Sequence, residues 1–288
     1  MRHSQLRRRA LLAGAGAAAI GVTGGASLAL TSDATATAED DTDDESALTP
    51  IERLLKGNRR FATQHARHPH QSIDYLHQLA EGQHPFAVTV GCSDSRVPPE
   101  ILFDQGLGDI FDQRVAGNLV DDVIIGSIEF AVEEFTSPVL MVLGHERCGA
   151  ITATVEAIES GLEPPGHIAA IVDALRPVVE PVLEEPGDPV ENGVRAHVRH
   201  VVTQIQELSG IVAEHVMHGD LKVYGARYDI DDGKVELLDL ELLTLSRFLL
   251  RVHQAATACE APSPPGGRSQ RKRTKSGALN RAAPPWQG

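Results

Sequence analysis

Two short apolar runs constrain the fold more than any other feature of this sequence. Residues 86–90 and 139–143 contain almost only apolar side chains, a pattern typical of strands that are covered on both faces. Residues 123–135, before the second run, and 150–158, after it, have apolar residues at helical spacing. Alternation of such strands with helices predicts an α/β fold with a central, mainly parallel β-sheet flanked by helices.

Periodicity and turn residues predict the other elements. A helix should begin at Thr49, because Thr49, Pro50 and Glu52 form an N-cap, a first-turn proline and a capping-box glutamate. Further helices are predicted over 123–135, 150–158 and about 189–208, and further strands over 109–116, 221–228 and 234–238, with a tight turn at 231–233.

The amino-terminal end has the composition of a targeting segment. Residues 1–38 resemble a twin-arginine export signal, with Arg8 and Arg9 before a soft apolar stretch and the small-residue site Ala36-Thr37-Ala38 after it. An uncleaved membrane anchor is the alternative interpretation. We therefore expect a bacterial protein that is exported and works outside the cytoplasm, either retained there or secreted.

The rest of the chain divides into four predicted parts. Residues 39–48 form an acidic linker, 49–240 the folded domain, 241–260 a helical extension and 261–288 a disordered basic tail.

The net charge of −14 disfavours broad binding to nucleic acid, so no nucleic-acid partner is expected. Three cysteines are too few for a disulfide scaffold.

Polar motifs follow both apolar strands. The sequence GCSDSR occupies 91–96 and GHERCG occupies 144–149. Ligands of open α/β sheets bind at the carboxyl ends of the strands, and Cys92, His145, Cys148 and Asp94 offer donors that suit tetrahedral zinc. From the residues alone, a metal site, a redox pair and two buried thiols all remain open.

Asp94 and Arg96 lie two residues apart, so their side chains share a face in extended backbone. A surface ion pair is the simplest interpretation, and such pairs contribute little to stability. At the edge of a metal site the same aspartate would instead accept a hydrogen bond from water or coordinate the metal.

Together with their flanks, the two motifs resemble the paired signatures of the β-class carbonic anhydrases. The stretches that carry the resemblance are VGCSDSRVPPE at 90–100, RVAGN at 114–118, GSIEFAV at 126–132 and GHERCGA at 144–150. The similarity covers roughly 49–240. It implies a Zn²⁺ enzyme that reversibly hydrates carbon dioxide to bicarbonate and a proton, using zinc-bound hydroxide.

The resemblance also implies roles for individual residues. Cys92, His145 and Cys148 match the zinc ligands. Asp94 and Arg96 match a catalytic dyad, and Asp94 matches an aspartate that takes the fourth zinc position in a closed state of some relatives.

Two further positions match residues of the substrate pocket, Gln83 and Phe111. Asp112 and Gln113 stand where the family usually has apolar residues, and Phe130 stands where a tyrosine is common. The family pairs its subunits through exchanged N-terminal helices, which implies a homodimer or a dimer of dimers here.

Two other functions remain open on the same fold. One is hydrolysis of carbonyl sulfide or carbon disulfide, which pocket shape alone would distinguish from carbon dioxide hydration. The other is a closed-site, zinc-binding regulatory protein in which Asp94 stays bound to the metal and no turnover occurs.

Overall fold

The structure is a computed structural model that describes residues 47–239. The predicted export signal, most of the acidic linker, the helical extension and the basic tail lie outside these residues, so the predicted domain boundaries stay predictions. Within the described part of the chain, no helix is both long and apolar enough to cross a membrane.

The described residues form eight α-helices and five strands. The helices are α1 Pro50–Ala62, α2 Ile73–Leu79, α3 Pro99–Leu102, α4 Asp122–Phe135, α5 Gly149–Ser160, α6 Ile168–Val179, α7 Pro189–Leu208 and α8 Gly210–His218. The strands are β1 Ala87–Gly91, β2 Ile110–Arg114, β3 Val139–His145, β4 Lys222–Tyr228 and β5 Val235–Leu237. Short 3₁₀ turns lie at Ala116–Asn118 and Glu180–Val182.

The five strands form one sheet in the order β2-β1-β3-β4-β5. The pairs β1–β2, β1–β3 and β3–β4 are parallel, and only β5 runs antiparallel, against β4. This confirms the predicted mainly parallel sheet. The two runs that were fully apolar in the sequence, β1 and β3, are adjacent central strands and are buried at every position.

Helices cover both faces of the sheet, which explains why β1 and β3 are apolar throughout. On one face Val88, Val90, Leu140 and Val142 pack with residues of α4, α7 and α8. On the other face Ala87, Val139, Met141 and Leu143 pack with Leu54 of α1 and with Leu102 and Phe103 at α3. Alternate residues of each strand therefore enter different halves of the core.

The first helix begins as predicted. The Glu52 carboxylate accepts hydrogen bonds from the backbone N–H of Thr49 at 2.8 Å and from its hydroxyl at 2.6 Å. Gly57 lets the helix approach the chain after α3, because a Cβ there would collide with the Phe103 carbonyl. In the single chain described, α1 packs on its own domain, and exchange of this helix between subunits stays a prediction.

Four helices were not predicted: α2, α3, α6 and α8. The strand predicted over 109–116 is shorter in the structure, because β2 ends at Arg114 and the chain then turns.

Asp112 lies on β2, which is an edge strand, and its side chain is only half-buried. Its carboxylate accepts a hydrogen bond from the Thr89 hydroxyl of the neighbouring strand at 2.5 Å, which provides a partner for a polar group at this position.

Candidate metal centre

The two polar motifs meet because their strands are neighbours. Cys92 follows the last residue of β1, and His145 is the last residue of β3. Since Gly91 of β1 is paired in parallel with Leu143 of β3, the carboxyl ends of both strands reach the same edge of the sheet. Cys148 lies three residues after His145, at the N-cap of α5.

Cys92, His145 and Cys148 form a compact cluster, which we call the Cys-His-Cys cluster. Their sulfur and ring nitrogen atoms all lie within 4.8 Å of one another. Their exposed fractions are 5%, 0% and 1%, respectively. The sequence prediction that these residues come together is therefore confirmed, and both cysteines are free thiols rather than a disulfide.

The hydrogen bonds of His145 leave one ring nitrogen available. Its Nδ1 lies 2.9 Å from the carbonyl oxygen of Glu146, and because a carbonyl can only accept, Nδ1 carries the proton. Nε2 is buried and has no hydrogen-bond partner. An imidazole that donates from Nδ1 to a backbone carbonyl and has a buried, unpartnered Nε2 is the arrangement found in metal-ligating histidines.

The two thiols influence each other strongly. A hydrogen bond from Cys148 is the main cause that lowers the pKa of Cys92, and a hydrogen bond from the Gly117 N–H acts in the same direction. The same contact raises the pKa of Cys148. A polarised thiol pair beside an unpartnered imidazole nitrogen suits a soft divalent cation, so the donor set fits zinc.

Asp94 lies at the edge of the cluster and is held by Arg96. Arg96 donates from Nε to Asp94 Oδ1 at 2.9 Å and from Nη2 to Oδ2 at 2.7 Å. This contact lowers the pKa of Asp94 to about 2, so the carboxylate is charged at neutral pH. Oδ2 lies 4.0 Å from His145 Nε2, which places the charged oxygen next to the unpartnered nitrogen.

Arg114 fixes the loop that carries these groups, a role that was not predicted from the sequence. It donates from Nε to the carbonyl of Cys92 at 3.0 Å and from Nη2 to the carbonyl of Asp94 at 2.5 Å. Its place in the RVAGN motif was a signal, but the motif does not reveal which groups its side chain contacts. The guanidinium therefore connects the end of β2 to the loop that follows β1.

Gln83 and Phe111 do not reach the cluster within this chain. Gln83 is exposed and precedes β1, at the strand end opposite Cys92. Phe111 is in register with Val88, about 13 Å before Cys92 along the strand direction. It packs instead against the rings of Phe130 and Phe135, with centroid distances of 6.2 and 5.5 Å.

Comparisons with known proteins all give one family. A family model described as carbonic anhydrase matches residues 87–235, a range that contains both motifs. Carbonic anhydrase 2 of Mycobacterium tuberculosis is 40% identical over 186 residues, which are 65% of this chain and 90% of that protein.

Solved structures agree. The β-carbonic anhydrase CafA of Aspergillus fumigatus has a TM-score of 0.52 and 29% identity, covering 66% of this chain and 91% of that chain. One of two tetrameric β-carbonic anhydrases of Sordaria macrospora has a TM-score of 0.53 and 26% identity, covering 65% and 96%.

Proposed function

The chain belongs to the β-carbonic anhydrase family, and from this membership we propose that it reversibly hydrates carbon dioxide to bicarbonate and a proton, with zinc held by Cys92, His145 and Cys148. The observation that carries the proposal is the Cys-His-Cys cluster itself, whose three donor atoms lie buried within 4.8 Å of one another. A redox pair would not account for the unpartnered Nε2 of His145 beside the two thiols.

Three protein donors suit a catalytic zinc site, because tetrahedral zinc then keeps one position for water or substrate. Zinc in such a site supplies Lewis acidity, which makes water a nucleophile near neutral pH. The protein contributes a buried pocket with two sulfurs and one imidazole nitrogen. The Glu146 carbonyl fixes the tautomer of His145, so that Nε2 keeps its lone pair.

Asp94 orients the nucleophile in this proposal. Its carboxylate is charged, because Arg96 lowers its pKa, and it can therefore accept a hydrogen bond from water at Oδ2. Arg96 and the two bonds from Arg114 keep that oxygen in place. A fixed acceptor directs the water lone pair at carbon dioxide, which is the positioning that lowers the entropic part of the barrier.

The contacts of Asp94 also favour an open site over the closed one. Both carboxylate oxygens accept hydrogen bonds from Arg96. A closed-site regulatory protein would use one of those oxygens as a fourth ligand and would give up part of this bidentate pair, which is among the stronger polar contacts in proteins.

Stopped-flow hydration of carbon dioxide by the zinc-loaded full-length protein, from about pH 7 to 9, tests the proposal. We expect turnover that rises with pH and disappears when a chelator removes zinc. Carbonyl sulfide and carbon disulfide serve as comparison substrates. A zinc-loaded protein that hydrolyses either of them but leaves carbon dioxide unchanged, or that turns over none of the three, would contradict the proposal.

We also propose that the active assembly is a homodimer or a dimer of dimers. One relative is described as tetrameric, and Gln83 and Phe111 lie at the strand ends away from the cluster of their own chain. A second copy that brings these residues to the cluster would complete the substrate pocket. Light scattering coupled to gel filtration should give two or four times the mass of the chain, and an active monomer would contradict this proposal.

Export by a twin-arginine route is a further proposal, supported by the sequence of residues 1–38. Replacement of both Arg8 and Arg9 by lysine should leave the protein in the cytoplasm of its host. Fractionation and N-terminal sequencing of the exported form would measure this. Unchanged export of the double variant would contradict the proposed route.

A further inference from the structure

His197 is a buried histidine with no role in the mechanism above. It lies on α7, whose buried face also carries Val194, Val198 and Val201, and only 2% of its surface is exposed. Its Nε2 lies 2.8 Å from the carbonyl oxygen of Gly117, eighty residues earlier in the chain. Since a carbonyl can only accept, Nε2 carries the proton and donates it.

Packing alone does not account for a histidine at this position. Its Nδ1 is buried and has no hydrogen-bond partner. A buried polar atom without a partner destabilises the folded state, and an apolar side chain of similar shape would avoid that cost. Burial also lowers the pKa of His197 to about 4, so the ring is neutral and has a single N–H to donate.

Gly117, whose carbonyl accepts the hydrogen bond from His197, is in direct contact with the Cys-His-Cys cluster. Gly117 donates its backbone N–H to the sulfur of Cys92 at 3.3 Å. Gly117 has φ 72° and ψ 20°, a left-handed conformation that glycine adopts without strain. Because glycine imposes few conformational limits of its own, contacts from outside the turn determine where its N–H points.

The surroundings of Gly117 leave it little room to move. A Cβ on this residue would lie 3.0 Å from the Ala150 side chain and 3.3 Å from Leu175. These neighbours limit where the turn can go, but neither can form a directional bond with the Gly117 peptide groups. His197 is the group that donates a hydrogen bond to its carbonyl.

We propose that His197 is a positioning residue of the metal centre: its bond to the Gly117 carbonyl aims the Gly117 N–H at the Cys92 sulfur and keeps that sulfur in place to bind metal. The inference rests on the proposed function in one respect, since it takes Cys92 to be a zinc ligand. Groups that orient metal ligands in this way typically change metal affinity by about 10–100-fold when removed.

Three variants of the full chain test the proposal by chelator competition for zinc. His197→Phe keeps much of the ring volume but cannot donate, so its zinc affinity should fall by about 10–100-fold. His197→Gln keeps an N–H donor and should restore most of that affinity. Val201→Ala is the matched control, because Val201 is fully buried on the same helix face and should lower thermal stability without changing zinc affinity.

Cobalt-substituted protein gives a second readout that a purely structural role would not move. The thiolate-to-cobalt charge-transfer bands should change in His197→Phe and stay as in the unsubstituted chain in Val201→Ala. Equal zinc affinity and equal spectra for His197→Phe and the unsubstituted chain would overturn the inference. So would an equal loss of affinity in Val201→Ala or in His197→Gln.

A measurement on the unsubstituted protein covers the case in which His197→Phe does not fold. With ¹¹³Cd in the cluster, the amide proton of Gly117 should show scalar coupling to the metal through the Cys92 sulfur, and absence of that coupling would overturn the inference. A chain that binds zinc but shows no effect of His197 refutes only the positioning role. A chain that binds no zinc refutes the proposed function as well.

Discussion

At the scale of single residues, the donors of the cluster could be predicted, but the contacts that orient them could not. Cys92, His145 and Cys148 follow strands that the apolar pattern identifies, so their meeting follows from strand order. The bonds from Arg114 to the loop and from Gly117 to Cys92 depend on how β2 and the turn after it pack. No local pattern in the sequence encodes those distances.

Replacement of Cys148 by alanine should remove zinc and activity together. The variant loses one of three protein donors, so zinc affinity should fall by more than the roughly 100-fold that loss of an orienting group can cause. Cys259→Ala is the control and should keep both. Metal analysis of the dialysed proteins measures the effect, and stoichiometric zinc in Cys148→Ala would end the ligand assignment.

Asp94→Asn should separate catalysis from metal binding. Asparagine keeps the size of the side chain but removes the charge that Arg96 stabilises. Turnover should therefore fall by at least about 100-fold, the lower end of the effect seen when a side chain that acts as a base or acid in the reaction is replaced. Zinc content should stay unchanged. Asp173→Asn, at an exposed position on α6, is the control, and wild-type hydration rates in Asp94→Asn would show that Asp94 does not orient the nucleophile.

At the scale of elements, strands with uniform patterns were predicted and short or mixed helices were not. The segments β1, β3, α4 and α7 carry strong apolar or periodic signals and were predicted close to their observed bounds. Helix α2 has only seven residues, which is too short for an apolar stripe to be recognised from periodicity, and none of them is buried. Helix α6 has such a stripe, but Pro177 lies inside it and argues against a helix there.

The edge strand β2 gives a prediction about pH and stability. Burial raises the pKa of Asp112 from 3.8 to about 6. The folded state therefore binds the Asp112 proton more tightly than the unfolded state does. This stabilisation is fully present below about pH 4 and is lost as the pH rises through about 6. At higher pH the free energy of unfolding is lower by about 2–3 kcal/mol than it is below pH 4.

Asp112→Asn should remove this loss, because asparagine is neutral and can still accept from the Thr89 hydroxyl. Its melting temperature should exceed that of the unsubstituted chain at pH 8, and the difference should shrink towards pH 4. Asp173→Asn should show no such convergence. If Asp112→Asn is less stable at pH 8, the carboxylate is charged and compensated in the folded protein.

At the scale of the whole molecule, the charges of the two predicted ends contrast with the rest. The tail at 261–288 has six basic and no acidic residues in a chain of net charge −14. All residues with proposed roles at the metal centre or in the substrate pocket lie between Gln83 and His197. The tail could be interpreted only from composition and the amino-terminal end only from its signal-like motifs, since neither end has a pattern that predicts packing against the domain.

Deletion of 261–288 should therefore leave zinc content and hydration rate unchanged, because no proposed ligand, dyad or pocket residue belongs to it. The full-length protein is the reference, and both forms are assayed at equal zinc loading. A large loss of turnover in the truncated form would give the tail a role in the active assembly.

X-ray absorption at the zinc edge of the full-length protein near neutral pH tests the proposed metal centre most directly. We expect one zinc per chain, bound by two sulfurs at about 2.3 Å, one imidazole nitrogen at about 2.0 Å and one oxygen donor. A protein without zinc, or a first coordination shell with fewer than two sulfurs, would contradict this expectation.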